Sequence, residues 1–155
     1  MIPVALWRLL HLFFAFGFVG TLVVCDWNSR AARATEDWHQ RALLWDIVRR
    51  AAAVGLGTLI LLGLMGNLLS AMLGYRMSAD GWPRWVNGLW VVSVILQGIL
   101  VAPGAARLAG LAKAAAGGGA ADAYAGVLKR WRISNLAQSV LYLALLVLMA
   151  FHWKS

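Results

Sequence analysis

Residues 8–28 read RLLHLFFAFGFVGTLVVCDWN, and this stretch decides the fold. Between Arg8 and Asp26 almost every side chain is apolar, and the run is about long enough to cross a bilayer as a helix, which takes roughly 20 residues. His11 interrupts the run one helical turn after Arg8. Because an ionisable side chain at membrane depth marks a candidate functional site, the stretch predicts a transmembrane helix with a specific polar residue.

The composition of the whole chain is typical of a membrane protein. Of its 155 residues, 62% are hydrophobic and 13% are charged, whereas soluble domains average about half apolar and about a quarter charged. The formal net charge is +8, which in a membrane protein indicates basic cytoplasmic segments rather than binding of nucleic acid. The single cysteine, Cys25, excludes an internal disulfide and a multi-cysteine metal site.

Four apolar stretches are long enough to span a bilayer, at about residues 3–25, 51–75, 86–104 and 134–152. Because the connections between them are modest in length, the sequence predicts an all-α membrane protein, an antiparallel up-down bundle of four transmembrane helices. Residues 1–155 then form a single integral membrane domain. The expected breaks are a turn near Thr35–Asp37, a tight turn at Asp80–Pro83, an end or kink at Pro103 and a break at Gly117–Gly119.

Basic residues predict how the chain lies in the membrane. Of the 14 Lys and Arg residues, the two long segments after the first and third spans hold all but Arg8, Arg76, Arg84 and Lys154. Since cytoplasmic loops carry an excess of Lys and Arg, both long segments are expected in the cytoplasm and both termini outside it. Indole rings favour membrane interfaces, and the residues expected at the cytoplasmic one are Trp27, Trp45 and Trp131.

Polar and small residues recur at helical spacing in each predicted span, so each span has one distinctive face. These faces should point into the bundle, because an amide without a partner costs several kcal/mol in hydrocarbon. In chain order the faces consist of His11, Ala15, Phe18 and Cys25; Gly63, Gly66, Asn67 and Ser70; Asn87, Trp90, Ser93 and Gln97; and Asn135, Gln138, Ser139 and Tyr142.

Counting from the outer helix ends places His11, Asn67 and Ser93 at one depth, about 12–14 Å below the surface at about 1.5 Å per residue. We therefore predict a polar cluster of these three residues, with Gln97 and Tyr142 beneath it. In one interpretation His11 holds helices in register through a hydrogen bond. In the other it is the axial ligand of a macrocycle, either the iron of haem b or the magnesium of a chlorophyll-type pigment. The sequence leaves both open, and the cofactor, if any, is unknown.

Other chemistries have little support in the sequence. Every Asp and Glu maps to a loop or an interface, which disfavours a proton-coupled transporter. His39 is expected to be solvated in the first long segment, and His152 lies too near the interface to share one haem with His11. The sequence contains no complete set of catalytic residues, so an enzyme is less favoured than a non-enzyme.

Three stretches resemble a group of uncharacterised bacterial four-helix integral membrane proteins. This group is distantly like the copper-resistance D membrane domain and the four-helix membrane type of protoporphyrinogen oxidase. The stretches read LWRLLHLFFAFGFVGTLV at 6–23, NGLWVVSVILQGILVAPGAARL at 87–108 and RWRISNLAQSVLYLALLVLMAFHWKS at 130–155. The resemblance implies a compact bundle in a bacterial inner membrane and, in the oxidase branch, a haem held partly by His11. That branch has a lysine early in the third helix, where this sequence has Asn87.

The leading functional hypothesis is a non-catalytic accessory subunit of a larger membrane complex, for example a respiratory or photosynthetic one. Its partners would be the lipid bilayer and other membrane subunits. Gly17, Gly20, Gly55 and Gly98 exceed the needs of one bundle and favour close contact with a neighbouring helix, unless they pack only within the bundle. The rival hypothesis is a haem-binding redox protein or a protoporphyrinogen-oxidase-like enzyme that uses His11.

Overall fold

A computed structural model describes residues 4–75 and 81–151, apart from the side chain of Trp82. The elements are α1 (Val4–Ala34), α2 (Trp38–Met72), α3 (Gly81–Leu96), a π-helical segment (Gln97–Val101), α4 (Ala102–Ala116) and α5 (Tyr124–Phe151). Because α3, the π-helical segment and α4 follow one another without a break, they form one long helix. The structure is therefore an antiparallel bundle of four helices, which confirms the predicted fold class.

Each of the four long helices is apolar and long enough to cross a membrane. α1, α2 and α5 have 31, 35 and 28 residues, or about 42–52 Å at about 1.5 Å per residue, more than the hydrocarbon core of about 30 Å. In α2 the charged residues stop at Arg50, so the excess length lies towards the end formed by the α1–α2 and α4–α5 connections. We call this the loop end and the opposite one the terminal end. By length and composition, the chain is a small multi-pass membrane protein.

Both connections at the loop end form where the sequence predicts them. After α1 ends at Ala34, Asp37 caps α2, because its carboxylate accepts a hydrogen bond from the His39 N–H at 2.8 Å. α4 ends at Ala116 before the glycine run. Within that run Gly118 has a φ of +85°, a conformation that glycine adopts without steric cost. At the other end, Asp80 of the predicted 80–83 turn lies outside the described residues, and the helix already begins at Gly81.

The sequence predicts an end or a kink of the third long helix at Pro103, and the helix does not end there. In a regular α-helix a proline lacks the N–H that would bond four residues back, and its ring collides with that carbonyl. Here the π-helical segment directly precedes α4, and the Ala102 N–H bonds to the Gln97 carbonyl, five residues back. This wider turn lies beside Pro103, and α4 continues to Ala116.

In the bundle, α2 packs along both α1 and α4, whereas α5 packs against α3 and α4. Aromatic residues fill the core near the loop end. Trp45 donates its indole N–H to Tyr124 Oη at 2.7 Å, and Trp131 donates to the Val101 carbonyl at 3.1 Å. Both indoles are buried inside the bundle, and each N–H has a partner there. Their expected depth at the membrane interface stays a prediction. Trp27, with 75% of its surface exposed, lies on the outside.

Candidate functional site

The faces predicted from helical spacing point into the bundle. The buried polar side chains include His11, Ser93, Gln97, Asn135, Gln138 and Tyr142. Asn67 and Asn87 are half-buried. Cys25 is buried as well, with its thiol 3.7 Å from the Val48 carbonyl of α2. The bundle therefore keeps these hydrogen-bonding groups away from lipid, as the cost of exposing them there requires.

His11 and Asn67 line one cavity of about 80 Å³ near the terminal end of the bundle. All three neighbouring helices, α2, α3 and α5, contribute to its walls, which are mostly apolar. Trp90 of α3 and Leu145 of α5 are among the lining residues. Leu73 also lines the cavity and is partly exposed, so the cavity reaches the surface of the described part of the bundle.

Gly66 lets the imidazole of His11 lie directly against α2. A Cβ added at Gly66 would be 2.9 Å from Cε1 of His11. Nδ1 of His11 is buried and has no hydrogen-bond partner in the described part of the chain. In a neutral imidazole one ring nitrogen donates and the other accepts, and a hydroxyl can bond to Nδ1 in either tautomer.

Asn67 lines the same cavity and also has an unpartnered polar atom. Its amide Nδ2 donates to the Gly63 carbonyl at 2.9 Å and to Oδ1 of Asn87 at 2.8 Å. Asn87 in turn donates to the Pro83 carbonyl at 2.9 Å. Oδ1 of Asn67 is buried without a partner among the residues described. Asn87 was absent from the predicted cluster, although its position on the polar face of its span could have revealed it.

A second glycine of α2 fixes the indole that borders the cavity. Trp90 lies across Gly63, where an added Cβ would be 1.9 Å from Cε2 of the ring. In this position Trp90 donates its N–H to the Leu59 carbonyl at 2.9 Å. Two glycines one turn apart thus bring an indole and an imidazole against the backbone of α2.

The structure does not bring the other predicted cluster members to this cavity. Their hydrogen bonds join pairs of helices instead: Gln138 Nε2 to Ser93 Oγ at 2.6 Å, Gln97 Nε2 to the Ala52 carbonyl at 2.9 Å, and Tyr142 Oη to the Ala15 carbonyl at 2.8 Å. Inward faces and depth suggested this cluster, but they do not say which neighbouring helix each side chain bonds to. Sequence reasoning placed Gln138 on the right face and missed that it pairs with Ser93.

The cavity does not fit a haem or a chlorophyll macrocycle. Its volume of about 80 Å³ is near half that of an engineered cavity of about 150 Å³ that holds one benzene ring, and a macrocycle of four pyrrole rings is far larger. No group of three or more His, Cys, Asp or Glu residues lies together in the described ranges. His39 is exposed near the loop end, and His152 lies outside the described residues. The site suits a smaller group than a macrocycle.

Comparison with known proteins gives no match to this chain among family models, curated proteins or solved structures. The family resemblance of the three sequence stretches therefore stays a prediction. The features of the described residues that bear on function are the cavity and the two unpartnered polar atoms of its lining residues His11 and Asn67.

Proposed function

We propose that this small membrane protein binds a lipid-soluble molecule whose head group carries a hydroxyl, and that the head enters the cavity beside His11. One observation carries the proposal: Nδ1 of His11 and Oδ1 of Asn67 are buried polar atoms without partners in the described part of the chain, and both residues line the same cavity. A buried polar group without a partner costs about 1–3 kcal/mol. A ligand hydroxyl, which can both donate and accept, removes that cost by bonding to either atom.

The dimensions of the cavity support a small head group and an apolar tail. A water molecule occupies about 30 Å³ in the liquid, so about 80 Å³ accommodates a hydroxyl and the first carbons attached to it. Apolar walls with few polar groups are typical of sites that orient a ligand through one or two hydrogen bonds. The rest of the molecule would leave past Leu73, where the cavity reaches the described surface.

Ordered water is the competing occupant, since water also satisfies buried polar groups in cavities of this size. The test uses two isomeric probes, 1-octanol, which has a hydroxyl donor, and 1-methoxyheptane, which has none. The protein has three histidines, so labelling histidine with ¹³C at Cε1 gives few NMR signals, and the His11→Phe variant identifies the signal of His11. We expect 1-octanol to shift that signal and 1-methoxyheptane to leave it in place.

Two controls make the probe experiment specific. His39 is exposed near the loop end, and its signal should respond equally to both probes. Ser70→Leu fills the cavity from a half-buried lining position and leaves His11 in place, so the response should disappear. An unchanged His11 signal with both probes, or an equal shift with both, would reject the proposal in favour of a water-filled structural site.

An accessory subunit of a larger membrane complex is the second candidate. Three of the four glycines expected to serve neighbours pack inside the bundle instead, since Gly17 faces Thr58, Gly55 faces Thr21 and Gly98 faces Leu56. Gly20 has no atom within 4 Å of an added Cβ. It supports the candidate, because small residues on an outer face permit close helix contact.

The accessory-subunit candidate is tested by purification in a mild detergent. A partner that co-purifies with the wild type and is lost in Gly20→Leu, but not in the outward-facing control Gly88→Leu, would support it. A wild-type protein that purifies as a lone monomer would exclude the accessory-subunit candidate. Gly88, like Gly20, has no atom within 4 Å of an added Cβ.

The distribution of basic residues supports one orientation. We infer that the loop end faces the cytoplasm of a bacterial inner membrane and that the cavity lies towards the outer side. Arg49 and Arg50 of α2, and Lys129 and Arg130 of α5, lie in the parts of these helices that are nearer the loop end. Lys and Arg accumulate on the cytoplasmic side of membrane proteins.

A further inference from the structure

A groove of about 870 Å³ lies between α2 and α4 at the loop end. Its lining combines small residues of α4, such as Ala106 and Gly110, with charged residues of both helices. An added Cβ at Gly110 would have no atom within 4 Å, so the groove is open at this point. The functional site at the terminal end makes no use of this groove.

The charge of the groove is positive. Arg49, Arg50 and Lys113 line it together with one carboxylate, Asp46, which gives a net charge of +2 with His39 neutral. Within the described residues no acidic side chain pairs with Lys113, since the ion pairs of the structure involve other cations. The groove thus carries unneutralised positive charge.

Asp46 orients the two arginines and leaves most of their donors available. Arg49 Nη2 and Arg50 Nε each lie 2.7 Å from an oxygen of Asp46. The hydrogen bond from Arg49 is the largest effect that keeps the pKa of Asp46 below its usual value, so this carboxylate stays charged. A guanidinium has five N–H donors in a planar fork, and the remaining ones can bind an anion such as a phosphate.

Helical spacing extends the α2 side of the groove towards the membrane with apolar residues. Arg50, Val54 and Gly57 follow at i, i+4 and i+7 on α2, which places them on one side of that helix. Val54 and Ile99 are exposed, and Gly57 has no atom within 4 Å of an added Cβ. Charged residues in α2 stop at Arg50, so the basic groove lies where the helix leaves the hydrocarbon and the apolar face lies within it.

We propose that this groove binds an anionic phospholipid, with the phosphate held by Arg49, Arg50 and Lys113 and an acyl chain along Val54, Gly57 and Ile99. Basic pockets between transmembrane helices on the cytoplasmic side favour anionic head groups. A water-soluble phosphate would use the same cations but would gain nothing from the apolar face. The combination of the two surfaces therefore selects the lipid.

The test is native mass spectrometry of the protein released from nanodiscs of equimolar phosphatidylglycerol and phosphatidylcholine. The groove variant combines Arg49→Gln with Lys113→Gln. The matched control combines Lys129→Gln with Arg132→Gln, which removes two exposed charges of α5 at the same end. We expect the wild type to retain phosphatidylglycerol in preference to phosphatidylcholine. In the groove variant the ratio of bound phosphatidylglycerol to bound phosphatidylcholine should fall at least about fivefold. In the control this ratio should fall less than about twofold, because exposed charges outside the groove are screened.

A second variant keeps every charge. Gly110→Leu fills the groove from an open position, and it should also lower the preference for phosphatidylglycerol. Equal losses in the groove variant and the α5 control would overturn the proposal, because the effect would then be one of net charge. Displacement of the bound lipid by excess inorganic phosphate would also overturn it, because the site would then recognise a soluble anion. Retention of the lipid in phosphate supports the proposal.

Discussion

Replacing Gly63 by alanine tests whether the close contact between α2 and α3 stabilises the bundle. The added Cβ would be 1.9 Å from Cε2 of Trp90, whereas carbon atoms in contact lie about 3.5–4.0 Å apart. The indole therefore has to retreat by roughly 1.5–2 Å. A shift of that size breaks its 2.9 Å hydrogen bond to the Leu59 carbonyl. The same substitution at Gly57, on the same helix, meets no atom within 4 Å.

The magnitude follows from three contributions to the free energy of unfolding. Overpacking costs about 1–3 kcal/mol, and the lost hydrogen bond costs about 0.5–1.5 kcal/mol. Alanine in place of glycine in a helix returns up to about 1 kcal/mol. Gly63→Ala should therefore destabilise the protein by about 0.5–3.5 kcal/mol once the full return is subtracted. Gly57→Ala should be neutral or stabilise it by up to about 1 kcal/mol.

The assay is reversible unfolding of both variants in mixed micelles of a mild detergent and SDS, followed by the circular dichroism of the helices. The fluorescence of Trp90 cannot be isolated, because the protein has nine tryptophans. Equal stabilities of Gly63→Ala and Gly57→Ala would refute the reasoning, since the indole would then not lie across Gly63.

Three further results are expected. A double-mutant cycle of Ser93→Ala and Gln138→Leu, measured by unfolding, should give a coupling energy of about 0.6 kcal/mol, the average for hydrogen bonds between transmembrane helices. Zero coupling would show that the 2.6 Å bond between these side chains is not formed. Tyr142→Phe removes a bond to the α1 backbone and should lower the free energy of unfolding by about 0.5–1.5 kcal/mol; an unchanged value would contradict that contact. Asp46→Asn should be less stable than the wild type at neutral pH. The hydrogen bond from Arg49 is the main cause that lowers the pKa of Asp46 in the folded protein. The stability difference between wild type and variant is therefore complete above the unfolded-state pKa of about 3.9 and is lost as the pH falls through the lower folded-state pKa. A stability difference that persists in acid would contradict the pairing.

The helical pattern of the sequence was enough to predict the fold and the inward faces. Gln138 and Tyr142 are buried as their spacing requires, because lipid penalises an exposed amide or hydroxyl whatever the detailed packing is. The turn at 35–37 and the break at 117–119 follow from local backbone preferences of the residues there. The helix faces and the two connections depend on interactions between residues close in sequence, so they can be predicted from the sequence alone.

The composition of the cavity could not be predicted in the same way. Residue counting along the helices does not give the direction of the Ser93 side chain, which pairs with Gln138. Likewise Trp45 is buried because Tyr124 of a distant helix accepts its N–H, a contact that depends on how helices pack. The π-helical segment Gln97–Val101 directly before Pro103 was also not predicted, because the presence of a proline alone does not say whether a helix ends, kinks or widens there.

Every site described above depends on four membrane crossings with the two connections of the loop end on one side. The most direct test is labelling of single cysteines by a membrane-impermeant maleimide in intact cells, in a Cys25→Ala background. Glu36→Cys and Asp122→Cys, exposed in the two connections, and Gly81→Cys, exposed at the terminal end, provide the positions. We expect Gly81→Cys to be labelled at once and the other two only after permeabilisation. Labelling of Glu36→Cys and Asp122→Cys from opposite sides would contradict the four-helix arrangement.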